Sequence, residues 1–341
     1  MRGFHRESEQ HQSLRRAEIT KWEGNLIRVS VPMQPPLRRV NSYILPDQNG
    51  RLSIVDPGPR SLESELAWEG ALEELGYSWS SISGIVVTHH HPDHYGLAGW
   101  MQSKTGCRVW MSERAYAETQ LMWGEAGGMN KALPDFFVQH GLPDSLVPEM
   151  KEHMDSFLTQ VSPHAEVSYV NTSAPFIMGG RDWIPVETGG HAPGHLSFYQ
   201  RDSGQILCGD AVLPIISPNV SLLPGSDPQP LLTFIESLHK LSEYKTRMAF
   251  AGHLDPFEGF NSRIHELLRH HEERLEEAES LLLLGPLNGY GLCSQLFRSR
   301  VTSLHQLRFA LSETLAHLKE LVRRGRAVEY DEDGKIWYRL I

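Results

Sequence analysis

Four polar loops, each of which follows a short apolar segment, constrain the fold of this 341-residue chain more than any other feature. The first is T-H-H-H-P-D-H-Y-G, from Thr88 to Gly96, directly after the run Ile85-Val86-Val87. The others are G-G-H-A-P-G-H-L-S, L-C-G-D-A-V and A-G-H-L-D-P, in which glycine flanks a histidine or aspartate. Short β-branched runs predict buried strands, and loops after strands are where α/β architectures place ligand-binding groups. The sequence therefore predicts that these loops meet at one site.

The residue types in these loops predict a metal site. Neutral imidazole and carboxylate are ligands for zinc and similar divalent ions, and one ion needs three or four of them. Side chains alternate along an extended segment, so His89 and His91 are predicted on one side and His90 on the other. Asp93 and His94 fall at the turn into the next helix, where they can reach a second ion beside the first. The later loops offer the remaining candidates, His195, Asp210 and His253.

The composition narrows the cellular setting. With 40% apolar and 22% charged residues and no apolar run near the roughly 20 residues that span a bilayer, the chain is predicted to have no membrane segment. The N-terminus is polar and lacks the apolar stretch of a signal peptide, and the three widely spaced cysteines fit a reducing compartment. We therefore expect a cytoplasmic protein. The net charge of -10 disfavours nucleic-acid binding by the surface as a whole.

Local patterns predict the domain organisation. Residues 1–20 are polar and are interpreted as disordered, and residues 21–262 are predicted to form the main domain. Residues 112–162 are predicted to be nearly all helical, which indicates an insertion into that domain. Residues 263–341 are predicted to form a helix and a winged helix, because a helical pattern ends at Gly325 and a hairpin turn follows at Asp333-Gly334. Residues 285–341 carry nine basic and six acidic residues, a net +3 that leaves -13 on the remainder.

The order T-H-x-H-x-D-H, P-G-H, G-D and G-H resembles the motif set of the metallo-β-lactamase-fold hydrolase superfamily, over roughly residues 25 to 260. The resemblance implies an α+β fold, an αββα sandwich. It implies two groups of metal ligands joined by a bridging aspartate: His89, His91 and His195, then Asp93, His94 and His253, with Asp210 between them. His191 is set aside, because the family pattern has its ligand after Pro-Gly. Asp56, in I-V-D-P-G, would support the metal loop from behind.

The same resemblance implies a dinuclear metallo-hydrolase. Two divalent ions about 3.5 Å apart can hold a bridging hydroxide at neutral pH and polarise a carbonyl or phosphoryl oxygen. Asp93 would be the catalytic residue that orients the nucleophile and shuttles its proton. Zinc is the expected metal, with manganese and iron as alternatives. A mononuclear iron enzyme of the sulfur-dioxygenase kind shares these motifs and stays open as an alternative.

The C-terminal pattern resembles the superfamily's subgroup of the β-lactamase-like protein 2 type, in which a winged helix follows the metal domain. Some members of that subgroup cleave single-stranded RNA, so an endoribonuclease that uses the basic stretch R-R-G-R at 323–326 is one alternative. We favour a small acyl ester, thioester or lactone as substrate because the body is acidic and the insertion carries apolar side chains. Met122, Trp123, Met129, Phe136 and Phe137 can form a lid over the metals or pack within the insertion. Nucleic-acid binding by the C-terminal domain and homodimer formation stay open.

Overall fold

The computed structural model describes residues 17–124 and 128–341, apart from the side chain of residue 299. Most of the segment interpreted as disordered, residues 1–16, lies outside the described residues. Its last residues belong to the first strand, Glu18–Trp22, which pairs with the next strand in an antiparallel register from Glu18 opposite Ser30 to Trp22 opposite Leu26. The interpretation of residues 18–20 as disordered is therefore wrong, because backbone pairing orders a stretch that its polar composition did not mark as a strand.

Two β-sheets form the body of the described chain. The first sheet has seven strands in sequence order: β1 (Glu18–Trp22), β2 (Leu26–Pro32), β3 (Arg39–Pro46), β4 (Leu52–Val55), β5 (Ile82–Val86), β6 (Arg108–Met111) and β7 (Val167–Tyr169). The second sheet has the order β12-β11-β10-β9-β8. Its strands are β8 (Phe176–Met178), β9 (Arg181–Glu187), β10 (Leu196–Gln200), β11 (Gln205–Gly209) and β12 (Met248–Ala251). Strands β4 to β7 pair in parallel, as do β11 and β12, so their polar loops gather at common sheet edges.

Side-chain alternation places one core between the sheets and another beneath the helices. Tyr43 and Leu45 of β3 pack with Trp183, Phe198 and other apolar side chains of the second sheet. Ile44, between them in sequence, belongs instead to the larger apolar cluster that the helices cover. Both faces of the first sheet are therefore buried, as period-two alternation requires of a strand in a four-layer sandwich. This arrangement agrees with the α+β, αββα fold that the sequence predicts.

Ten α-helices surround the sheets and continue into the C-terminal part of the described chain. They are α1 (Leu62–Leu75), α2 (Pro92–Tyr95), α3 (Ala98–Thr105), α4 (Glu113–Trp123), α5 (Met129–Gln139), α6 (Val147–Asp155), α7 (Pro230–Ser242), α8 (Phe260–Leu282), α9 (Gly289–Phe297) and α10 (Leu304–Arg323). Helices α4 to α6 lie within the predicted insertion, residues 112–162. Ser112 begins that region as an N-cap, because its hydroxyl accepts a hydrogen bond from the Ala115 amide.

In the predicted C-terminal domain, residues 263–341, α9, α10 and most of α8 lie beside a small sheet; α8 itself begins before the predicted boundary, at Phe260. Its strands are β13 (Leu287–Asn288), β14 (Ala327–Glu332) and β15 (Lys335–Leu340), in the order β13-β15-β14. The predicted helix end and hairpin are both present. Gly325 adopts φ 68° after α10, and Asp333 and Gly334 adopt φ 53° and 74° between β14 and β15. That this arrangement is a winged helix remains a prediction.

None of the helices in residues 17–124 and 128–341 combines the length and apolar character needed to cross a membrane.

The packing of α10 predicts which side chains of the C-terminal domain contribute most to its stability. Leu315 is fully buried, and it packs so closely on Gly289 that a Cβ there would lie 2.5 Å from Leu315 Cδ2. We expect Leu315→Ala to lower the free energy of unfolding by about 2–5 kcal/mol, because it leaves a cavity. Urea denaturation followed by circular dichroism measures this change. Leu283→Ala is the matched control, since Leu283 is 73% exposed and its loss should cost less than about 0.5 kcal/mol. Equal losses in both variants would contradict the packing.

Candidate metal centre

The loop after β5 carries the first group of candidate ligands. Val87 continues the strand pairing through a hydrogen bond from its amide to the Trp110 carbonyl, and the chain then turns into α2. Pro92 is the first residue of α2, a position that suits its fixed φ. The amides of His94 and Tyr95 both donate to the His91 carbonyl, which fixes this turn. The loop therefore presents His89, His91, Asp93 and His94 within six residues.

Asp56 holds this loop from behind, where the resemblance implies it. Its carboxylate accepts hydrogen bonds from the Thr88 amide at 2.7 Å and the Thr88 hydroxyl at 2.8 Å, and it lies 2.9 Å from His94 Nδ1. Asp56 is 2% exposed and adopts φ 54°, a conformation that costs free energy for a residue other than glycine. The surrounding fold thus holds a strained residue in place, and that residue orients both Thr88 and His94.

Side chains from three other loops converge on the Asp210 carboxylate. Asp210 Oδ2 lies 3.3 Å from His253 Nε2, 3.5 Å from His94 Nε2 and 3.6 Å from His191 Nε2. His253 Nε2 also lies 3.1 Å from Asp93 Oδ2. Three sets of ligand atoms, each within 4.8 Å of one another, emerge: His89, His91 and His191; His89, His94 and Asp210; Asp93, His94 and His253. Asp210 lies where the two predicted groups of ligands meet.

The geometry corrects one predicted ligand, since it places His191 rather than His195 with His89 and His91. Both ring nitrogens of His195 are already bonded. Its Nδ1 lies 2.8 Å from the Thr188 hydroxyl, and its Nε2 accepts the Asp210 amide at 3.1 Å. Both nitrogens of His195 are therefore engaged by the protein, Nε2 by the backbone of Asp210. It positions the Asp210 carboxylate, and burial lowers the pKa of His195 to about 3, which keeps the imidazole neutral and able to accept.

The positions of the strand ends in the sequence could have identified His191 as a candidate ligand. Strand β9 ends at Glu187 and β10 begins at Leu196, so His191 lies on the loop while His195 directly precedes the next strand. His89, Asp210 and His253 are likewise the first histidine or aspartate after their strands. Choosing the first such residue after each strand would have selected His191. The Pro-Gly spacing pointed instead to His195.

Four of the candidate imidazoles have one nitrogen fixed by the protein and the other directed into the centre. The fixed contacts are His89 Nδ1 to Thr88 Oγ1 at 2.9 Å, His94 Nδ1 to Asp56 at 2.9 Å, His191 Nδ1 to the Asn219 carbonyl at 2.8 Å, and His253 Nδ1 to the Arg39 carbonyl at 3.0 Å. A carbonyl oxygen only accepts, so Nδ1 of His191 and of His253 each carries a proton. Burial lowers the pKa of His191, so its ring is neutral and its Nε2 presents a lone pair. Such contacts orient metal-binding histidines and set their tautomers.

Three polar atoms of the centre have no hydrogen-bond partner in the described part of the chain. They are His94 Nε2, His191 Nε2 and Asp210 Oδ1. A buried polar atom without a partner costs free energy, so these atoms require a ligand to satisfy them. Imidazole and carboxylate together are the donor set of zinc and other borderline divalent ions. The residues present therefore fit divalent metal binding.

The electrostatics of the centre also favour cations. Burial alone would raise the pKa of Asp210, but His253 and His94 lower it well below the usual range, so the carboxylate is ionised. Burial would lower the pKa of His253, yet the Asp210 and Asp93 carboxylates raise it to about 10. In His89, burial and neighbouring imidazoles lower the pKa well below its usual value. The neutral His89 and the ionised Asp210 carboxylate are in the protonation states that bind a divalent ion, whereas His253 would release a proton when an ion binds it.

Two glycines make room for Asp210 and its neighbours, because a side chain at either position would clash with them. A Cβ on Gly252 would lie 2.2 Å from Asp210 Oδ1 and 2.6 Å from His94 Cε1. A Cβ on Gly209, which adopts φ 47°, would lie 2.6 Å from His195 Nε2. These contacts are shorter than real side chains allow, so any larger residue at Gly252 must displace the centre.

The helical insertion packs against the metal loop, and its apolar side chains do not form a lid. Trp123 Nε1 donates to the His90 carbonyl at 2.9 Å. The apolar side chains considered for a lid pack in the core: Met122, Trp123, Met129 and Phe137 are at most 5% exposed, and Phe136 packs against them. Packing within the protein is therefore the alternative that the structure supports. His90 is 1% exposed and packed, with its ring 4.7 Å from that of His91.

Asn219 is a residue of this centre that the sequence patterns did not indicate. Its carbonyl accepts from His191 Nδ1, and its side-chain amide donates to the Phe309 carbonyl and to Glu313 Oε2 at 3.3 and 2.8 Å. Phe309 and Glu313 lie on α10, so Asn219 connects a candidate ligand to the C-terminal domain. No short motif surrounds Asn219, because its role depends on elements distant in sequence.

Comparisons with known proteins agree with this geometry. The model of the metallo-beta-lactamase superfamily matches residues 35–253, and that of the metallo-beta-lactamase-like C-terminal domain matches residues 275–341. A probable metallo-hydrolase, YqjP of Bacillus subtilis (strain 168), is 25% identical over 92% of this chain and 98% of its own. The crystal structure of a metallo-beta-lactamase family protein from Thermus thermophilus is 33% identical, with a TM-score of 0.82 over 94% of this chain and 99% of its own. A beta-lactamase domain protein from Burkholderia ambifaria is 30% identical, with a TM-score of 0.84 over 95% of this chain and 94% of its own.

The contrast between His191 and His195 gives a direct test of the ligand set. We expect His191→Ala to weaken zinc binding at least about tenfold, because it removes a ligand atom. His195→Gln should keep zinc affinity within about threefold, since the glutamine oxygen can still accept the Asp210 amide. Equilibrium dialysis with elemental analysis measures both, and His265→Ala, at an exposed helix position, is the control. A greater loss in His195→Gln than in His191→Ala would restore the original prediction.

Gly252 tests whether the centre depends on the space around Asp210. We expect Gly252→Ala to lower zinc affinity by about 10- to 100-fold, because the added methyl group must displace the Asp210 carboxylate or the His94 ring. Gly84→Ala is the matched control, since its added carbon comes no closer than 3.8 Å to the Arg108 carbonyl. Both variants should retain the wild-type circular dichroism spectrum. Unchanged zinc affinity in folded Gly252→Ala would show that the centre adjusts freely.

Proposed function

Because the chain belongs to the metallo-β-lactamase superfamily, we propose that it is a hydrolase with two adjacent divalent ions that cleaves a small, partly apolar acyl ester, thioester or lactone. The observation that carries this proposal is the convergence of two ligand groups on the Asp210 carboxylate, 3.3 to 3.6 Å from three imidazole nitrogens. A carboxylate between two ligand groups can bind both ions at once. The superfamily match and the similarity to a probable metallo-hydrolase support hydrolysis as the class of reaction.

The candidate ligands can be divided into two sets, one on each side of Asp210. One ion would be held by His89, His91 and His191, the other by Asp93, His94 and His253, with Asp210 shared. When bound, such ions supply a water of lowered pKa and polarise the oxygen of the scissile group. Zinc is the expected metal, because imidazoles predominate among the ligands.

Asp93 is the carboxylate that the substrate side can reach. Its side chain is 21% exposed, against 7% for Asp210. Its Oδ2 contacts His253 Nε2, which leaves Oδ1 to orient the attacking water and accept its proton. Burial raises the pKa of Asp93, but the positive charges of His94 and His253 lower it below its usual value overall, so the carboxylate is ionised at neutral pH and ready to accept.

Exposed apolar side chains adjoin the ligand loops and support an acyl substrate. Leu254, 38% exposed, directly follows His253, and Leu37, 36% exposed, is two residues before Arg39, whose carbonyl accepts from His253. Ile215 and Ile216 follow the Asp210 loop and are 77% and 38% exposed. Large apolar side chains on the surface near a site commonly serve ligand binding. These residues, rather than those of the insertion, would supply the apolar surface for an acyl group.

The basic stretch that motivated the endoribonuclease alternative is neutralised by ion pairs. Arg323 and Arg324 pair with Glu320, Arg324 and Arg326 pair with Glu272, and Arg326 also pairs with Glu279. Arginines in such pairs must give up a carboxylate before they bind a phosphate. This observation favours a small substrate over single-stranded RNA, and it gives the C-terminal domain a role in packing.

A hydrolysis screen tests the proposal. Protein reconstituted with zinc or manganese is assayed against acyl esters, thioesters and lactones of two to eight carbons and against a single-stranded RNA. We expect acyl cleavage, lowered at least about a hundredfold in Asp210→Asn because the shared ligand is weakened. Asp202→Asn, a change at an exposed aspartate, is the matched control and should retain full activity.

Each other outcome of the screen has a definite meaning. RNA cleavage without acyl cleavage would replace the proposal with the endoribonuclease alternative. The sulfur-dioxygenase alternative requires one iron per chain and oxygen consumption with a persulfide substrate, so elemental analysis and an oxygen electrode exclude or establish it. Equal acyl cleavage by wild-type and Asp210→Asn protein would contradict the proposed centre.

A further inference from the structure

Arg308 on α10 is a buried cation without a carboxylate partner. It is 8% exposed, and its guanidinium carbon lies 4.1 Å from the ring centroid of Phe309 and 5.2 Å from that of Phe157. Within residues 17–124 and 128–341, its side chain makes no ion pair, and its Nε has no hydrogen-bond partner. Burial lowers the pKa of Arg308 to about 10. A charge this deeply buried requires an anion or a hydrogen-bonding partner.

The chain elsewhere provides partners for such arginines. Arg28, the other arginine among the described residues that is buried, pairs with Asp255 at 2.6 Å and Glu18 at 3.1 Å. Arg274 lies over the Phe297 ring at 5.1 Å, much as Arg308 lies over Phe309, yet it also pairs with Glu277 at 2.9 Å. Stacking on aromatic rings is therefore accompanied by a carboxylate at Arg274 and not at Arg308.

A second unpartnered polar atom lies beside Arg308. His153 Nε2 is buried and has no hydrogen-bond partner among the described residues. The His153 ring lies 5.0 Å from that of Phe157 and 5.3 Å from that of His305, so the three rings and the guanidinium form one cluster. Burial, followed by the charge of Arg308, lowers the pKa of His153 and of His305 to about 4 each. At neutral pH both imidazoles are neutral and can donate one hydrogen bond each.

A chain of hydrogen bonds connects this cluster to the metal centre. Asn219 accepts from His191 and donates to the carbonyl of Phe309, the residue after Arg308. The cluster therefore lies where α10 and the helical insertion meet near the candidate ligands.

We propose that Arg308, with His153 and His305, binds an anionic group of the substrate, a carboxylate or a phosphate, at the end opposite the scissile acyl bond. The guanidinium presents paired donors that match the oxygens of such a group. The inference rests on the proposed acyl hydrolase and names a subclass of its substrates, acyl compounds that carry a second, acidic end. It also gives the C-terminal domain a part in substrate selection.

Paired ligands that differ only in the second charge test the subsite without requiring turnover. Calorimetry with zinc-loaded protein compares dicarboxylates of four to eight carbons with monocarboxylates of equal carbon number. Both can bind the metals through one carboxylate. We expect wild-type protein to bind the best dicarboxylate about tenfold more tightly than its monocarboxylate, a difference carried by Arg308. The ω-phosphonocarboxylates of equal length show whether a phosphate-type or a carboxylate end is preferred.

Variants separate charge recognition from packing. Arg308→Met, which keeps length and packing volume, should lose the preference for dicarboxylates, whereas Arg308→Lys should keep part of it. Arg274→Met is the matched control, because Arg274 is also stacked on a phenylalanine but is paired with Glu277, and it should keep the full preference. A preference retained in Arg308→Met would overturn the proposal and leave Arg308 a packing residue.

The wild-type protein alone can also overturn the inference. Equal affinities of wild-type protein for mono- and dicarboxylates at every length exclude the subsite, even if Arg308→Met does not fold. A preference for dicarboxylates in a protein that hydrolyses no acyl substrate would support the anion subsite while the proposed function fails. Hydrolysis of neutral acyl esters without any preference for acidic ones would keep the proposed function and reject the subsite.

Discussion

The buried carboxylate of Asp210 is the constraint on which the rest of the structure depends. It is 5% exposed and lies within 3.6 Å of three imidazole nitrogens. An ionised carboxylate at this depth is stable only among positive charges or metal ions. The fold meets this requirement with histidines from separate loops and with Gly252, whose missing side chain leaves the carboxylate its space. The two packed sheets fix the positions of the loops that carry the candidate ligands.

Contacts behind the ligands do as much to define the centre as the ligands themselves. Asp56 orients Thr88 and His94, His195 holds the backbone of Asp210, and Asn219 holds His191. Each contact joins residues that are distant in sequence. The centre therefore depends on the packing of the whole metal domain, and through Asn219 on α10 of the C-terminal domain.

Four arginines of the C-terminal domain fall into two groups that indicate different roles. Arg323, Arg324 and Arg326 are held in ion pairs with glutamates on α8 and α10, which fasten the helices and the hairpin together. Arg308 is buried, has no such pair among the residues that the structure describes, and lies against Phe157 of the insertion. This distribution of charge supports the proposed small-molecule hydrolase more than it supports binding of a nucleic-acid backbone.

The sequence by itself determined the fold class, the superfamily and most of the candidate ligands, because local patterns carry that information. His89, His91, Asp93 and His94 are close in sequence, and Asp210 and His253 directly follow apolar strands. The choice between His191 and His195 needed the tertiary structure, since only the hydrogen bonds of each ring show which nitrogen is available. Whether the insertion's apolar side chains cover the metals or fill the core was likewise decided by packing. That Arg308 has no carboxylate partner among the described residues could be seen only in the tertiary structure, because a counterion could come from any part of the chain.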